Sequence, residues 1–160
     1  MRDDRHRIAR VALDERTVVR RSAEVEHERA VAIFDLIEDN HFRPVDCPDR
    51  GPFALHLGVE DNRLVFDIRA ENEEETLTKV VLPISTFRTI VRDYFMVCDS
   101  YYQAIRRASP SQIEAIDMGR RGLHNEGSEL LRERLAGRIE IDHDTARRLF
   151  TLICILHIRG

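Results

Sequence analysis

The segment from Gly119 to Ser128 holds the residues of this chain whose types and spacing best suit chemistry. It reads Gly-Arg-Arg-Gly-Leu-His-Asn-Glu-Gly-Ser and places three glycines within an otherwise helical pattern. An interior glycine destabilises a helix by about 1 kcal/mol relative to alanine, so glycines in such a place indicate close packing or a site. We therefore look for function here first.

Two interpretations of this segment differ in whether its helix is continuous. In a continuous helix, Gly119 and Gly127 share one face and let another helix approach closely, while His124 lies at a surface or boundary position. If the helix breaks at Gly127, the free backbone N–H groups of the next piece lie beside His124 and Asn125 and could bind an anion. We favour the continuous helix.

An anionic ligand or substrate is the sharpest functional hypothesis for this segment. Arg120 would hold the anion and His124 would act as the acid/base, beside Asn125 and Glu126. These four residues form the candidate ligand-binding set, and the sequence names no catalytic residue or cofactor. His124 and Glu126 are about 200° apart around a helix axis, which makes it hard for one small ligand to touch both.

The histidines and acidic residues do not form a metal motif. Asp142-His143-Asp144 could join His124 or Glu126 as ligands, but the triplet lies where a helix begins. Acidic residues are expected in a first helical turn because of the helix dipole. We therefore predict no metal site. The sequence also lacks a P-loop, zinc-finger spacing, a nucleophile elbow and a dinucleotide fingerprint.

The composition is typical of a globular protein with one domain spanning residues 1–160. Of the 160 residues, 42% are hydrophobic and 34% charged, which is enough apolar material for a core. No apolar run approaches the length of a membrane span, and the N-terminal residues lack a signal-peptide pattern. Three widely separated cysteines fit a reducing compartment. We expect a cytoplasmic protein without a membrane partner.

The charge distribution argues against a nucleic-acid partner. Arginine supplies all basic residues except Lys79, and arginine suits phosphate and carboxylate groups. The net charge is nevertheless −4. The four arginine doublets do not build a stripe, because adjacent residues diverge by about 100° on a helix.

The hydrophobic periodicity predicts the element order β-α-β-β-β-α-α-α. Strands are expected over 7–13, 53–59, 64–69 and 77–82, with a loop over 41–52 and a turn at Asp61-Asn62. Helices are expected from Ser22 to about Asn40, from Ser85 to Ala108, and from Pro110 to a stop at Gly137. This order predicts an α+β fold: a four-stranded, mainly antiparallel sheet with helices packed on one face, sheet-rich in 1–84 and helical in 85–160.

Local sequence signals predict where the last two helices begin and whether the last segment is helical. Ser109, Pro110 and Gln112 form a capping box with proline at the first helical position. The segment 149–158 is rich in β-branched residues and could be a buried strand. Asp142 as a cap favours a helix from His143 to about Ile158.

Apolar stripes on two helices lead to the first-ranked functional hypothesis. The helix that begins near Ser22 has a predicted core stripe of Val25, Ala30, Ile33, Phe34 and Ile37. The helix from Ser85 has a longer stripe that Phe95 and Tyr102 widen, and aromatic residues are enriched at interfaces. We therefore expect a non-catalytic binding or regulatory domain whose helical half engages a protein partner or a second copy. Phe95, Tyr102, Gly119 and Gly127 form the candidate interface.

Three stretches of the C-terminal half carry a family resemblance. They are Ser-Pro-Ser-Gln-Ile-Glu-Ala-Ile-Asp-Met at 109–118, Gly-Leu-His-Asn-Glu-Gly at 122–127, and Asp-Thr-Ala-Arg-Arg-Leu-Phe-Thr-Leu at 144–152. The chain resembles the uncharacterised bacterial protein family UPF0262 over nearly its whole length. The resemblance implies a bacterial cytoplasmic protein and assigns no activity, ligand or functional residue.

Overall fold

Residues 4–14 and 23–156 are described by the computed structural model, without the side chains of residues 23–25. Within these ranges the chain forms six strands and four helices. In chain order they are β1 (Ile8–Leu13), α1 (Ala23–Glu38), β2 (Phe42–Pro44), β3 (Phe53–Glu60), β4 (Arg63–Ala70), β5 (Thr76–Pro83), α2 (Ser85–Arg107), α3 (Pro110–Leu135), β6 (Ile139–Ile141) and α4 (His143–Leu156).

The main sheet has the strand order β1-β3-β4-β5. The strands β3, β4 and β5 form an antiparallel meander, and β1 adds to its edge in parallel with β3. Asp61 and Asn62 have the positive φ angles predicted for the tight turn between β3 and β4. The α+β fold with a mainly antiparallel sheet is confirmed.

The two faces of this sheet have opposite character, as the alternation of its strands predicts. Leu55, Leu57, Phe66 and Ile68 are fully buried and join one core cluster with apolar residues of all four helices. On the other face, His56, Asp67 and Lys79 lie in one row across β3, β4 and β5. The described helices therefore pack on the apolar face of the sheet.

A second, two-stranded sheet corrects the predicted loop over 41–52. The strand β2 pairs antiparallel with β6, with Phe42 opposite Ile141 and Pro44 opposite Ile139. A strand of three residues is too short to show a period, and Pro44 is tolerated because it ends the ladder. The sequence contained no local signal for this pairing.

Asn40 connects β1 to the C-terminal end of α1. Its Oδ1 accepts a hydrogen bond from the Ile8 N–H (2.7 Å), and its Nδ2 donates to the carbonyl oxygens of Ile8 (3.0 Å) and Leu36 (2.7 Å). Asn40 is buried, so these bonds are made away from water. The side-chain amide thus pairs with Ile8 as a neighbouring strand would, at the outer edge of the sheet.

The long helices α2 and α3 form an antiparallel hairpin. The predicted capping box is present: the Gln112 N–H donates to the Ser109 hydroxyl while the Gln112 side chain accepts from the Ser109 N–H. α3 runs without a break through 119–128, and Gly137 follows its end with φ +85°. The segment from His143 to Leu156 is helical rather than a strand, with Asp142 accepting from the Thr145 N–H.

The predicted core stripe of α1 is wrong at Ala30 and Phe34, whereas Ile33 and Ile37 are half-buried against the core cluster. Phe34 is 64% exposed and Ala30 is exposed, whereas Ala32 and Leu36 are the buried side chains of this helix. The predicted cap Ser22 lies outside the described residues. The side of α1 that faces the core depends on where α4 packs, and the period of the helix alone does not specify that.

Burial also ends early along the α2–α3 hairpin. Phe87, Val91, Tyr94 and Cys98 are buried, but Ile105 further along α2 is 52% exposed. No described helix is both long and apolar enough to cross a membrane.

Candidate functional site

A cleft of about 460 Å³ opens where α1, α3 and α4 meet over Tyr94 of α2. Each of the three helices contributes residues at helical spacing. The polar and charged residues of the lining are His27, Glu28 and Asp35 of α1, Arg120, Arg121 and His124 of α3, and Asp144, Arg147, Arg148 and Thr151 of α4. The volume is within the range typical of small-molecule sites.

Arg120 is held in place from two sides. Its Nε and Nη2 donate to Oδ1 of Asp117, at 3.2 and 2.6 Å, and its guanidinium carbon lies 4.8 Å from the centre of the Tyr101 ring. The hydrogen bond from Arg120 lowers the pKa of the Asp117 carboxyl. Within the described residues, Nη1 of Arg120 has no hydrogen-bond partner, which leaves it available to a ligand.

The two arginines of α4 differ in their partners. Nη1 of Arg148 donates to the Asp39 carbonyl oxygen (2.9 Å) and so helps to fix the end of α1. Arg147 is exposed and makes no side-chain hydrogen bond or ion pair in the part of the chain that the structure describes. Arg147 is therefore the cation of the cleft with most freedom to bind a ligand.

His124 lies at the inner end of the cleft between two aromatic rings. Its ring centre is 5.4 Å from that of Tyr94 and 5.3 Å from that of Phe150. Its Nε2 lies 2.7 Å from the Thr151 hydroxyl oxygen, and that hydroxyl donates to the Arg147 carbonyl oxygen (3.3 Å). We therefore assign the ring proton to Nε2. Nδ1 is buried and has no partner among the described residues.

The surroundings of His124 favour its neutral form. Burial lowers its pKa most, and the charges of Arg147 and Arg120 lower it further, to about 4. The charged residues that act on this imidazole are thus arginines. Both charges disfavour a positive charge on the imidazole.

This pKa predicts how stability depends on pH. Because His124 takes up its proton near pH 6.5 when unfolded and near pH 4 when folded, stability should fall by about 3 kcal/mol as the pH drops through this window. In His124→Gln, urea denaturation at a series of pH values should show a shallower loss of stability between pH 6.5 and 4. His27→Gln, which changes an exposed histidine of the same cleft, is the matched control. Equal effects of the two changes would contradict the prediction.

The structure separates the four residues of the predicted ligand-binding set. Arg120 and His124 line the cleft, whereas Asn125 is exposed and outside it. Glu126 lines a different groove, between α2 and α3, together with Asp93. Because α3 is continuous, neighbouring positions on it point in different directions.

The two glycines predicted to allow close packing behave differently. A Cβ added to Gly127 would overlap the ring of Phe150 in α4, and even the ring atom Cε2 would be only 2.6 Å away. Gly127 thus allows the close approach of α3 and α4. At the same position of Gly119, no neighbouring atom of the described chain lies within 4 Å, so Gly119 is not needed for packing against these residues.

The aromatic residues predicted for an interface make contacts within the chain. Phe95 is half-buried, with its ring centre 6.1 Å from that of Tyr94. The Tyr102 hydroxyl donates to Oε1 of Glu28 in α1 (2.9 Å), and burial together with this bond raises the pKa of Tyr102. Tyr102 thus joins the hairpin to α1, and Phe95 packs against the core cluster.

Metal-ligating residues do not cluster in the described part of the chain. No group of three or more histidine, cysteine, aspartate or glutamate side chains there is arranged to hold a metal ion. His143, predicted as part of a minority metal hypothesis, instead places its Nδ1 2.8 Å from Oε1 of Glu129.

Comparison with known proteins identifies the family. The model of the uncharacterised protein family UPF0262 matches residues 5–159. The chain belongs to this family. Among UPF0262 proteins, that of Paramagnetospirillum magneticum is 63% identical over 156 residues, covering 98% of each chain. That of Rhodospirillum rubrum is 64% identical over 150 residues, covering 94% of this chain and 91% of its own. No solved structure shows a significant match.

Membership of UPF0262 assigns no role to the cleft, so its residues are interpreted from their geometry. Sequence reasoning found Arg120 and His124 but missed Arg147 and Thr151 of α4 and Glu28 of α1. The polar residues of α4 recur at the spacing i, i+3, i+4 and i+7, and this polar stripe is the pattern that could have indicated them. Nothing in the sequence indicates that this stripe faces α3.

Proposed function

We propose that this protein is a non-catalytic binding domain for a small anionic molecule, held in the cleft between α1, α3 and α4. The observation that carries the proposal is the convergence of Arg120 and Arg147 on a buried, neutral imidazole. Two guanidinium groups at one end of a water-accessible cleft attract a carboxylate or a phosphate group.

The charge of the lining limits the kind of anion. Four arginines line the cleft, and three carboxylates, those of Glu28, Asp35 and Asp144, lie around them. This near balance suits a ligand with one or two negative charges and disfavours a polyanion. Val31 and Tyr94 add apolar surface, so a ligand with a small apolar part would also be accommodated.

A binding role is favoured over catalysis by the state of His124. A general acid/base near neutral pH needs a pKa close to that pH and a nitrogen within reach of the substrate. The pKa of His124 is lowered to about 4, its Nε2 contacts Thr151, and its Nδ1 is buried. These features suit a neutral hydrogen-bonding group better than a proton carrier.

Binding of a partner protein at the candidate interface of Phe95, Tyr102, Gly119 and Gly127 has less support than anion binding in the cleft. Gly127 is covered by Phe150, and Tyr102 is bonded to Glu28 within the same chain. Gly127 is therefore covered within the chain, and the Tyr102 hydroxyl already has a partner in α1.

The proposal predicts saturable anion binding that depends on Arg147. Isothermal titration with phosphate, citrate and benzoate at neutral pH should find at least one anion that binds the wild-type protein. Arg147→Gln should weaken that binding about tenfold, since a hydrogen bond to a charged group contributes about 1.5–3 kcal/mol. Native mass spectrometry of protein from its own cells would then identify any bound molecule by its mass.

A matched variant distinguishes the cleft from general charge effects. Arg134→Gln removes the same charge from an exposed position of α3 outside the cleft and should leave the affinity unchanged. Equal weakening by both changes, or no binding of any tested anion, would overturn the proposal.

A further inference from the structure

The walls of the cleft between α1, α3 and α4 differ in charge. The α1 wall contributes the carboxylates of Glu28 and Asp35, whereas the α3 wall contributes the guanidinium groups of Arg120 and Arg121. α4 packs against both helices and adds two further arginines and one aspartate from between them. Opposite charges therefore face each other across the space that a ligand would occupy.

These opposite charges do not pair with each other across the cleft. Within the described residues, no ion pair or side-chain hydrogen bond joins Glu28 or Asp35 to an arginine of the lining. Arg120 and Arg121 instead bind Asp117 of their own helix, at 2.6 and 3.1 Å. Carboxylates on one wall and arginines on the other are complementary to a ligand that itself carries both signs of charge.

Glu28 is the carboxylate best placed for the positive group of such a ligand. Its Oε1 accepts a hydrogen bond from the Tyr102 hydroxyl (2.9 Å), which orients the side chain, and its Oε2 has no partner among the described residues. Burial raises the pKa of Tyr102 most, the hydrogen bond and charge of Glu28 raise it further, and the charge of Arg120 opposes the rise. Because both charges act on one hydroxyl, Glu28 and Arg120 lie at the same end of the cleft.

We propose that the ligand of this cleft is an amino dicarboxylate, a small molecule with one ammonium group and two carboxylates. Oε2 of Glu28 accepts a hydrogen bond from the ammonium group, while Arg120 and Arg147 hold the carboxylates. This inference rests on the proposed function, since it keeps the same cleft and the same two arginines. One positive and two negative groups give the net negative charge that the proposed function requires.

The second carboxylate follows from the presence of two arginines. An amino acid with a single carboxylate carries no net charge and would leave either Arg120 or Arg147 without an anionic partner. Val31 lies between Glu28 and Asp35 on the α1 wall and is 43% exposed, so it offers an apolar contact to methylene groups. The cleft therefore suits a short aliphatic chain that carries the three charged groups.

A pair of matched ligands isolates the contribution of the ammonium group. Glutamate and glutarate have the same chain length and the same two carboxylates, and only glutamate carries an ammonium group. Isothermal titration of the wild-type protein at neutral pH should give glutamate an affinity at least about tenfold higher, because a hydrogen bond between charged groups contributes a factor of this order. Glutamate that binds no more tightly than glutarate would overturn this inference.

Replacing Glu28 by glutamine tests where the ammonium group binds. The amide oxygen can still accept the hydrogen bond from Tyr102, so the contact between α1 and α2 is retained. Glu28→Gln should weaken glutamate binding about tenfold and should leave glutarate binding unchanged or tighter. Glu114→Gln, which changes an exposed glutamate of α3 outside the cleft, should alter neither affinity. A preference for glutamate that survives in Glu28→Gln and is lost in Asp35→Asn would overturn the placement at Glu28.

Failure of this inference is distinguishable from failure of the proposed function. If phosphate, citrate or glutarate binds in a manner that depends on Arg147 but glutamate has no advantage, the anion site stands and the amino dicarboxylate is excluded. If no tested anion binds, glutamate included, the proposed function fails and this inference fails with it. Tighter binding of glutamate that requires both Arg147 and Glu28 supports the two together.

Discussion

Replacing Asn40 by aspartate should destabilise the folded protein by about 3–5 kcal/mol. The change preserves the shape of the side chain and the acceptor for the Ile8 N–H. It replaces the two hydrogen bonds from Nδ2 by an oxygen that faces the carbonyl oxygens of Ile8 and Leu36. Because Asn40 is buried, water cannot compensate for the lost donors or for the new charge. Urea denaturation at 25 °C measures the effect.

The pH dependence and a matched variant make this prediction specific. Two carbonyl oxygens beside the new carboxyl favour its protonated form, so its pKa should be higher in the folded than in the unfolded state. The destabilisation relative to wild type should then be largest near neutral pH and should shrink as the pH falls. Asn125→Asp makes the same change at an exposed position and should alter stability little. A small effect at Asn40 would contradict the strand-like role of its amide.

Replacing Gly127 by alanine should destabilise the protein by about 1–3 kcal/mol, although alanine is the better helix former. The new methyl group would overlap the ring of Phe150, which is fully buried. That ring also contacts His124, so a displaced Phe150 should weaken anion binding in the cleft as well. Thermal or urea denaturation measures the first effect, and anion titration measures the second.

The same helix provides the controls for this prediction. Gly119→Ala and Gly122→Ala introduce the same methyl group where no neighbouring atom of the described residues lies within 4 Å. Each should stabilise the protein by about 0.5–1 kcal/mol, because alanine restricts the unfolded chain more than glycine does. If all three alanine variants shifted stability in the same direction, the close contact at Gly127 would not be the cause.

These glycines show what the sequence alone could predict. The continuous helix was predicted, because its capping signals and its Gly137 stop are local. The choice between a glycine needed for packing and one that is not depends on the neighbouring helix. Gly127 and Gly119 look equivalent on one helical face, and only the position of Phe150 distinguishes them.

The difference between local and long-range information also explains which predictions succeeded for the sheet, for α1 and for the candidate site. The sheet alternation was confirmed because a period of two assigns faces directly. The stripe of α1 had the right period, but its residues Ala30 and Phe34 are exposed, since burial depends on the packing partner. Arg120 and His124 were found from their unusual local sequence, while Arg147 belongs to an ordinary helix that folds against them.

The pairing of β2 with β6 has a consequence for the order of events during synthesis. His41, just before β2, contacts Glu140 of β6, a residue 99 positions later in the chain. The helix that follows β6 supplies nine buried residues, and its Thr145 hydroxyl accepts the His41 N–H. A growing chain on the ribosome therefore exposes the apolar side of its sheet until α4 has emerged, so folding of this core should be completed only after α4 has been synthesised.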